Sequence, residues 1–317
     1  MGQLLNGRWV DTAPIDNDAD GNFHRHPTVF RHWITSDGSS HNSSEDQFKA
    51  EVNRYHLYVS LACPWAHRTT IMRRLKGLEG MIGLSVVNWF LGNQGWSFAE
   101  GPCVTGDPIA NSSFLYELYS LAQPDYTGKV TVPVLWDKKK ATIVSNESSD
   151  IIRMLNSSFD ALGAKVGDYY PIDMRDDIDA LNDRIYPYLN NGVYKAGFAT
   201  SQAAYDDAVR KVFDTLDWLE GILDKKQWLL GDRLTEADIR LFTTLIRFDL
   251  VYYSHFKCNI RRLVDYPNLW NYVRRFYALE GVSETVNVSH IKRHYYESHV
   301  SINPSGIVPI GPEIDFG

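Results

Sequence analysis

Cys63 stands in the run Ser60-Leu61-Ala62-Cys63-Pro64-Trp65-Ala66, where a strand-like segment gives way to helical spacing. Pro64 falls at what would be the first helical position, where a missing amide hydrogen costs nothing. That places the sulfur at a helix N-terminus, where unpaired amides and the helix dipole favour a thiolate and hence a nucleophile near neutral pH. The place of a second thiol in a CxxC pair is taken by Ala66. A mixed disulfide formed on Cys63 must therefore be resolved by an external thiol. Cys103 and Cys258 read as buried structural thiols. Three scattered cysteines are too few for a disulfide framework or a tetrahedral zinc site.

Two further segments could bind what Cys63 attacks. In Thr131-Val132-Pro133 a proline interrupts a strand-like run. It cannot donate a ladder bond, which argues for a special turn and a candidate cis peptide. Such a turn would leave the backbone of Val132 open for pairing with an extended peptide. Ser145-Asn146-Glu147-Ser148 opens a helix, so its amides and the Ser148 hydroxyl could hold a carboxylate; simple capping explains the same residues. Together, the thiolate turn, the strand proline and the helix start describe a site for a small acidic peptide that carries a thiol.

The elements that must position these residues follow from the spacing. Tyr55–Val59 reads as a strand, Trp65–Leu75 as a helix, and about Leu84–Val87 as a second strand. Residues 88–112 are rich in Gly, Asn and Pro, and so long an irregular stretch is often functional. Phe114–Ala122 looks helical, Val130–Trp136 and about Ala141–Val144 look like strands around a charged turn at Lys138–Lys140, and Glu147–Leu155 starts a helix. The order gives one mixed sheet carrying helices. From about Asp173 onward apolar residues recur every three to four positions, in segments 173–190, 203–225, 236–254 and 268–279, the signal of an all-helical second domain. Residues 1–53 are polar and without period, an extended arm; residues 282–317 read as a tail too proline-rich to continue a helix, with Pro304, Pro309 and Pro312. The expected division is an N-terminal extension 1–53, a sheet-containing domain 54–160, a helical domain 170–298 and a tail 299–317.

Composition limits the classes of function. The 317 residues are 44% hydrophobic and 22% charged, which is ordinary for a water-soluble globular chain, with length for two domains. A net charge of −7 gives no basic footprint for nucleic acid. No apolar run is long enough to span a membrane, and the start MGQLLNGRWVDT lacks the pattern of a secretory signal, so the expected location is the cytoplasm. Nine Trp, 18 Tyr and 14 Phe point to aromatic-lined pockets as well as a packed core.

These residues resemble glutathione transferases, with a thioredoxin-like α/β N-terminal domain and an all-α C-terminal domain. The Val-Pro and Glu-Ser pairs look like that family's glutathione-binding elements, and Gly231-Asp-Arg-Leu-Thr-Glu-Ala-Asp238 like its helix-start signature, with Thr235 and Asp238 as a capping arrangement. The closer resemblance is to the Xi class, the glutathionyl-hydroquinone reductases. It rests on CPWA at Cys63–Ala66 with His67-Arg68, GVYKAGFA at 192–199, HFKCN at 255–259, and HIKRHYY at 290–296 with the following INPSGIVPIGP. The resemblance covers nearly the whole chain. It implies reduction of glutathionyl-hydroquinones by glutathione, through a Cys63-glutathione mixed disulfide, with glutathione as co-substrate and a homodimeric assembly. It also implies glutathione contacts at Trp96, Lys129, Val132, Glu147 and Ser148; lysine at 129 keeps the charge of the arginine often found there but loses the planar fork. The acceptor side would be served by Tyr194, Tyr252 and Tyr295, with Tyr253 and Tyr296 as one-residue alternatives.

Other signals carry less. His290 and His294 could face one side of a helix, yet no third ligand accompanies them, and no metal is expected. The sequons at Asn42-Ser43-Ser44 and Asn111-Ser112-Ser113 should be inert in a chain with no secretory signal. Two other functions fit the residues: a general thiol transferase or dehydroascorbate reductase, and a non-catalytic protein that sequesters planar aromatic ligands.

Overall fold

The computed structural model describes residues 2–11, 16–39 and 47–317; the Asn42 sequon lies outside the described residues. The chain divides into two compact units. One comprises Met1–Pro14, Pro27–Gly167 and Thr285–His290; the other Ile15–His26, Asp168–Glu284 and Ile291–Gly317.

The first unit is built on a four-stranded sheet of β1 (Tyr55–Val59), β2 (Gly83–Val86), β3 (Val134–Asp137) and β4 (Thr142–Ser145), in the order β4-β3-β1-β2. β1 and β2 run parallel, joined through helix α1 (Pro64–Leu75); β3 is antiparallel to β1 and β4 to β3. This is the thioredoxin-like arrangement, completed by α2 (Leu115–Ala122), which lies against β4, and α3 (Ser148–Ser157), which packs along α1. All five residues of β1 are buried, as a strand with neighbours on both sides requires. Its polar groups are accordingly partnered: His56 Nε2 lies 2.8 Å from Ser85 Oγ, and the Tyr58 hydroxyl donates to Asp107 at 2.7 Å. Asp107 also accepts from the amides of Ile109, Ala110 and Ser112, so one carboxylate orders the end of the irregular stretch 88–112.

Several sequence expectations need correction. The strand expected over Val130–Trp136 begins only at Val134, because Pro133 has no amide hydrogen for the ladder; the Val132–Pro133 peptide is cis. The arm is not wholly irregular: Gln3–Leu5 pairs with Arg8–Val10, and Ile34–Thr35 runs parallel to Phe48–Lys49. These strands of two or three residues are too short to leave a period in the sequence. Cys103 is exposed, at the third position of a turn closed by the Val104 amide on the Gly101 carbonyl and with φ of 61°, whereas Cys258 is buried as expected.

The second unit is helical: α4 (Arg175–Ile185), α5 (Gly192–Gly197), α6 (Gln202–Leu223), α7 (Glu236–Leu245) and α8 (Pro267–Tyr277). A further helix, α9 (Val288–Ser298), occupies the start of what reads as a proline-rich tail; the prolines begin only after it ends. Segments 173–190 and 236–254 are not single helices. Each ends in a turn of π-helix, Tyr186–Asn190 and Phe248–Tyr252, which shifts the following side chains relative to an α-helical period. Thr235 and Asp238 form the expected capping box on α7, the carboxylate accepting from the Thr235 amide at 2.9 Å and from its hydroxyl at 3.0 Å. No helix among the described residues is long and apolar enough to cross a membrane.

Candidate functional site

Cys63 is the N-cap of α1, with extended backbone (φ −76°, ψ 123°) and Pro64 at the first helical position. No acidic residue occupies the first turn, so nothing local offsets the positive end of the helix. The thiol is buried and lies 3.6 Å from the carbonyl oxygen of Val132, which brings the thiol turn and the Val-Pro turn together. Among the described residues the Val132 amide donates to no acceptor, leaving it open to a backbone partner.

Glu147 and Ser148 occupy the start of α3. The Glu147 carboxylate is the N-cap of its own helix, accepting from the Ser149 amide at 3.0 Å, the Ser149 hydroxyl at 2.9 Å and Thr28 Oγ1 at 3.1 Å. Burial works against its ionisation, but these hydrogen bonds and the positive charge of Arg68 outweigh it, and the group is held below the usual carboxylate range. Ser148 is buried, and its Oγ accepts from Arg68 Nη1 at 3.3 Å. Lys129 is half-buried, and its carbonyl accepts from the Tyr126 hydroxyl at 3.0 Å. Trp96 is buried at the end of a hairpin, Leu91–Gly92 with Gly95–Trp96, inside the stretch read as irregular.

Two residues of this site escape a reading of spacing. Arg68 is 1% exposed, with its guanidinium 4.5 Å from the Trp65 ring centroid, and so presents a buried cation to the start of α3. A charged residue on an otherwise uncharged helix face was the available signal. Tyr119, fully buried on α2, accepts from the Thr131 amide at 3.2 Å and from Asn146 Nδ2 at 3.1 Å, and donates to the Thr131 carbonyl at 2.8 Å. One phenol thus ties the Val-Pro turn to the entry of α3, a long-range link that no local pattern announces.

In the helical unit, Tyr194, Tyr252 and Tyr295 come together. The Tyr194 and Tyr295 hydroxyl oxygens are 2.5 Å apart, and those of Tyr252 and Tyr295 3.1 Å apart. The one-residue alternatives lie elsewhere: Tyr296 hydrogen-bonds Ser254, and Tyr253 caps the π turn. Tyr194 comes from α5, Tyr252 from the π turn and Tyr295 from α9. Gly197 permits the arrangement, because a Cβ there would stand 2.2 Å from the Phe256 ring, which packs 5.3 Å from the Tyr194 ring and 5.6 Å from that of Tyr252. Burial, with the neighbouring phenols, pushes Tyr252 and Tyr295 well above the usual range, so both are neutral donors at physiological pH. Behind them His255 Nε2 lies 3.1 Å from His299 Nδ1, and burial holds both imidazoles below their ordinary range.

No group of three or more His, Cys, Asp or Glu among the described residues is arranged to hold a metal. His290 and His294 are engaged separately, His290 with the Pro102 carbonyl at 2.7 Å and His294 with Ser298.

The family model of the glutathione S-transferase N-terminal domain matches residues 62–158, and that of the C-terminal domain matches residues 202–275. The chain belongs to the glutathione transferase family. Within that family it belongs to the Xi class, the glutathionyl-hydroquinone reductases. It is 57% identical to the glutathionyl-hydroquinone reductase YqjG of Escherichia coli, over 98% of this chain and 95% of that protein. It is 52% identical to the glutathionyl-hydroquinone reductase PcpF of Sphingobium chlorophenolicum, over 98% and 96%. The glutathione-bound structure of YqjG superposes with a TM-score of 0.93, covering 99% of this chain and 97% of that one at 55% identity. The Xi-class transferase of Natrialba magadii does so with a TM-score of 0.91, covering 100% and 94% at 46% identity.

Proposed function

We propose that this enzyme reduces glutathionyl-hydroquinones to hydroquinones at the expense of glutathione. The observation that carries the reading is Cys63 at the N-cap of α1 beside Val132, with Ala66 where a resolving thiol would stand. The Cys63 thiolate attacks the sulfur of the conjugate, the aromatic carbon leaves with the electron pair and takes a proton, and a second glutathione displaces Cys63 to give glutathione disulfide. Val132 pairs with the glutathione backbone, Glu147 and Ser148 receive its γ-glutamyl end, and Trp96 and Lys129 complete the contacts. Support for the helix start comes from Arg68, whose charge lies beside the Ser148 hydroxyl. The hydroxyls of Tyr194, Tyr252 and Tyr295 serve the aromatic acceptor, hydrogen-bonding the quinol and stabilising the charge on its ring as the C–S bond breaks. A homodimer working in the cytoplasm is part of the same proposal.

The test is a turnover assay with a panel of glutathionyl-hydroquinones, with mass spectrometry after treatment with glutathione disulfide. One glutathione on Cys63 and stoichiometric release of hydroquinone and glutathione disulfide are expected. Efficient reduction of dehydroascorbate or mixed disulfides with no action on any conjugate would favour a general thiol transferase; binding without turnover would favour a sequestering role.

A further inference from the structure

The arm segment before Pro27 belongs to the helical unit and is clamped to the chain that follows α5. Asn17 Nδ2 donates to the Phe198 carbonyl at 2.9 Å, the Thr200 amide donates to the Gly21 carbonyl at 3.1 Å, and Ser201 Oγ donates to the Asp20 carbonyl at 2.6 Å. Gly21, at φ of 87°, sits so close that a Cβ would stand 2.8 Å from the Ser201 amide nitrogen. The loop is closed on itself by Asp18, which accepts from the amides of Asp20 and Asn22 and pairs with His24 at 2.8 Å. So many fixed points on one short segment place its next residue, Arg25. The Arg25 Nε donates to Oδ1 of the buried Asn191 at 2.8 Å, and the guanidinium carbon stands 4.8 Å from the centroid of the Tyr194 ring.

A cation on the face of a phenol ring stabilises the negative charge that spreads into the ring when the hydroxyl gives up its proton. Tyr194 is the member of the trio with this contact, and its hydroxyl is hydrogen-bonded to Tyr295. Among the described residues, the ionisable groups near the trio include Arg247 at the π turn, His255 after it, and His294 and His299 at and just past the end of α9; α5 itself also carries Lys195. Burial keeps Tyr252, Tyr295, His255 and His299 in their neutral forms.

We propose that Arg25 is a positioning residue for the reduction, its guanidinium on the Tyr194 ring making that hydroxyl the proton donor of the trio. The inference rests on the reaction proposed above. As the Cys63 sulfur bonds to the glutathione sulfur, the C–S electron pair passes to the ring carbon, which takes the Tyr194 proton. The tyrosinate, held by the Arg25 charge, is reprotonated by the proton that the second glutathione thiol releases on displacing Cys63. The sum is conjugate plus glutathione giving hydroquinone plus glutathione disulfide, with no other oxidant or reductant.

The test compares Arg25→Gln, Arg25→Lys and Tyr194→Phe, alone and combined, by ultraviolet phenolate titration and by the pH profile of conjugate reduction. Arg25→Gln is expected to slow conjugate reduction about tenfold, to leave glutathionylation of Cys63 by glutathione disulfide unchanged, and to move the Tyr194 titration, read as the difference from Tyr194→Phe, to higher pH. Arg25→Lys should restore part of the shift, and Arg25→Gln should add little in the Tyr194→Phe background. An unmoved phenolate titration, or equal losses in both backgrounds, overturns the proposal. Should the wild-type chain reduce no conjugate, the reaction reading fails, while the titration still decides whether Arg25 acts on Tyr194.

Discussion

The thiol turn and the tyrosine cluster are built in opposite ways. Cys63 acquires its setting from its own neighbours in sequence: a strand end, Pro64 and the first turn of α1. The Val132 carbonyl and the Arg68 link to α3 add longer connections. The tyrosine cluster has almost no local component. Its three hydroxyls come from positions 194, 252 and 295, each on a different element, and two of the spacings depend on a π turn and on the glycine at 197. A reactive group that needs polarisation can be made by a helix start, whereas three hydroxyls from distant positions brought within hydrogen-bond distance need the packed interior of a helical unit. The former tolerates drift elsewhere in the fold; the latter does not.

The largest expected effect breaks the thiol side. Cys63→Ser should reduce conjugate turnover on the order of a thousandfold or more, as removal of a covalent nucleophile does, and abolish the glutathione adduct seen by mass spectrometry. Cys258→Ser supplies the contrast within one chemistry, since burial pushes that thiol up and keeps it inert; its turnover should stay within about twofold of the wild type. Comparable losses in both variants would mean that cysteine chemistry is not localised at the helix start.

Next comes the tyrosine side. Tyr252→Phe and Tyr295→Phe should each lower conjugate reduction about a hundredfold, the scale of losing one preorganised donor, and leave exchange of Cys63 with a small disulfide nearly intact. Because Tyr295 is hydrogen-bonded to both other hydroxyls, the double variant should lose less than the product of the single losses. Equal damage to conjugate reduction and to disulfide exchange would assign these tyrosines to the fold rather than to the acceptor.

The same contrast explains what the sequence discloses. Strand β1, helix α1, the cis Val132–Pro133 turn and the α7 capping box are short-range patterns, and each is visible as spacing or as a residue type in its proper place. Tyr119 and Arg68 are not, because their partners lie 12, 27 and 80 residues away. Nor is the choice of Tyr252 over Tyr253 and Tyr295 over Tyr296 a matter of composition. The resemblance to a known family names the segments, but which tyrosine of each pair joins Tyr194 depends on the π turn and on the packing of α9. Helix α9 is claimed both by a helical domain reaching 298 and by a tail starting at 282, because three prolines downstream colour the reading of a segment that contains none.

The helical unit should also show its burial in its pH response. Asp238 is fully buried, and burial, only partly offset by hydrogen bonds from the Leu229 amide and from Thr235, raises it from the ordinary aspartate value to about 6. The folded state therefore keeps this proton longer than the unfolded chain, so its stabilising contribution is present in acid and lost as pH rises through about 6. His255 runs the other way: burial, with Lys257 and His294, lowers it to about 4, so its contribution is present above the ordinary imidazole range and lost as pH falls toward 4. Between about pH 4 and 6 the two slopes oppose each other. Asp238→Asn removes the falling one, and the rise of stability with pH across that window should steepen by about 2 kcal/mol, read as urea midpoints. Parallel curves for the variant and the wild type would sink this reading.

The smallest effect isolates folding from chemistry. Thr235 takes part in the capping box through its hydroxyl and amide, both donating to Asp238, and lies in the helical signature rather than beside the trio. Thr235→Ala should cost about 1 kcal/mol of stability and leave the rate of conjugate reduction within experimental error at temperatures where the variant is folded. A selective fall in that rate, with the urea midpoint unchanged, would show that the start of α7 is coupled to the tyrosines, and the division between a signature that folds the unit and a cluster that serves the acceptor would have to be given up.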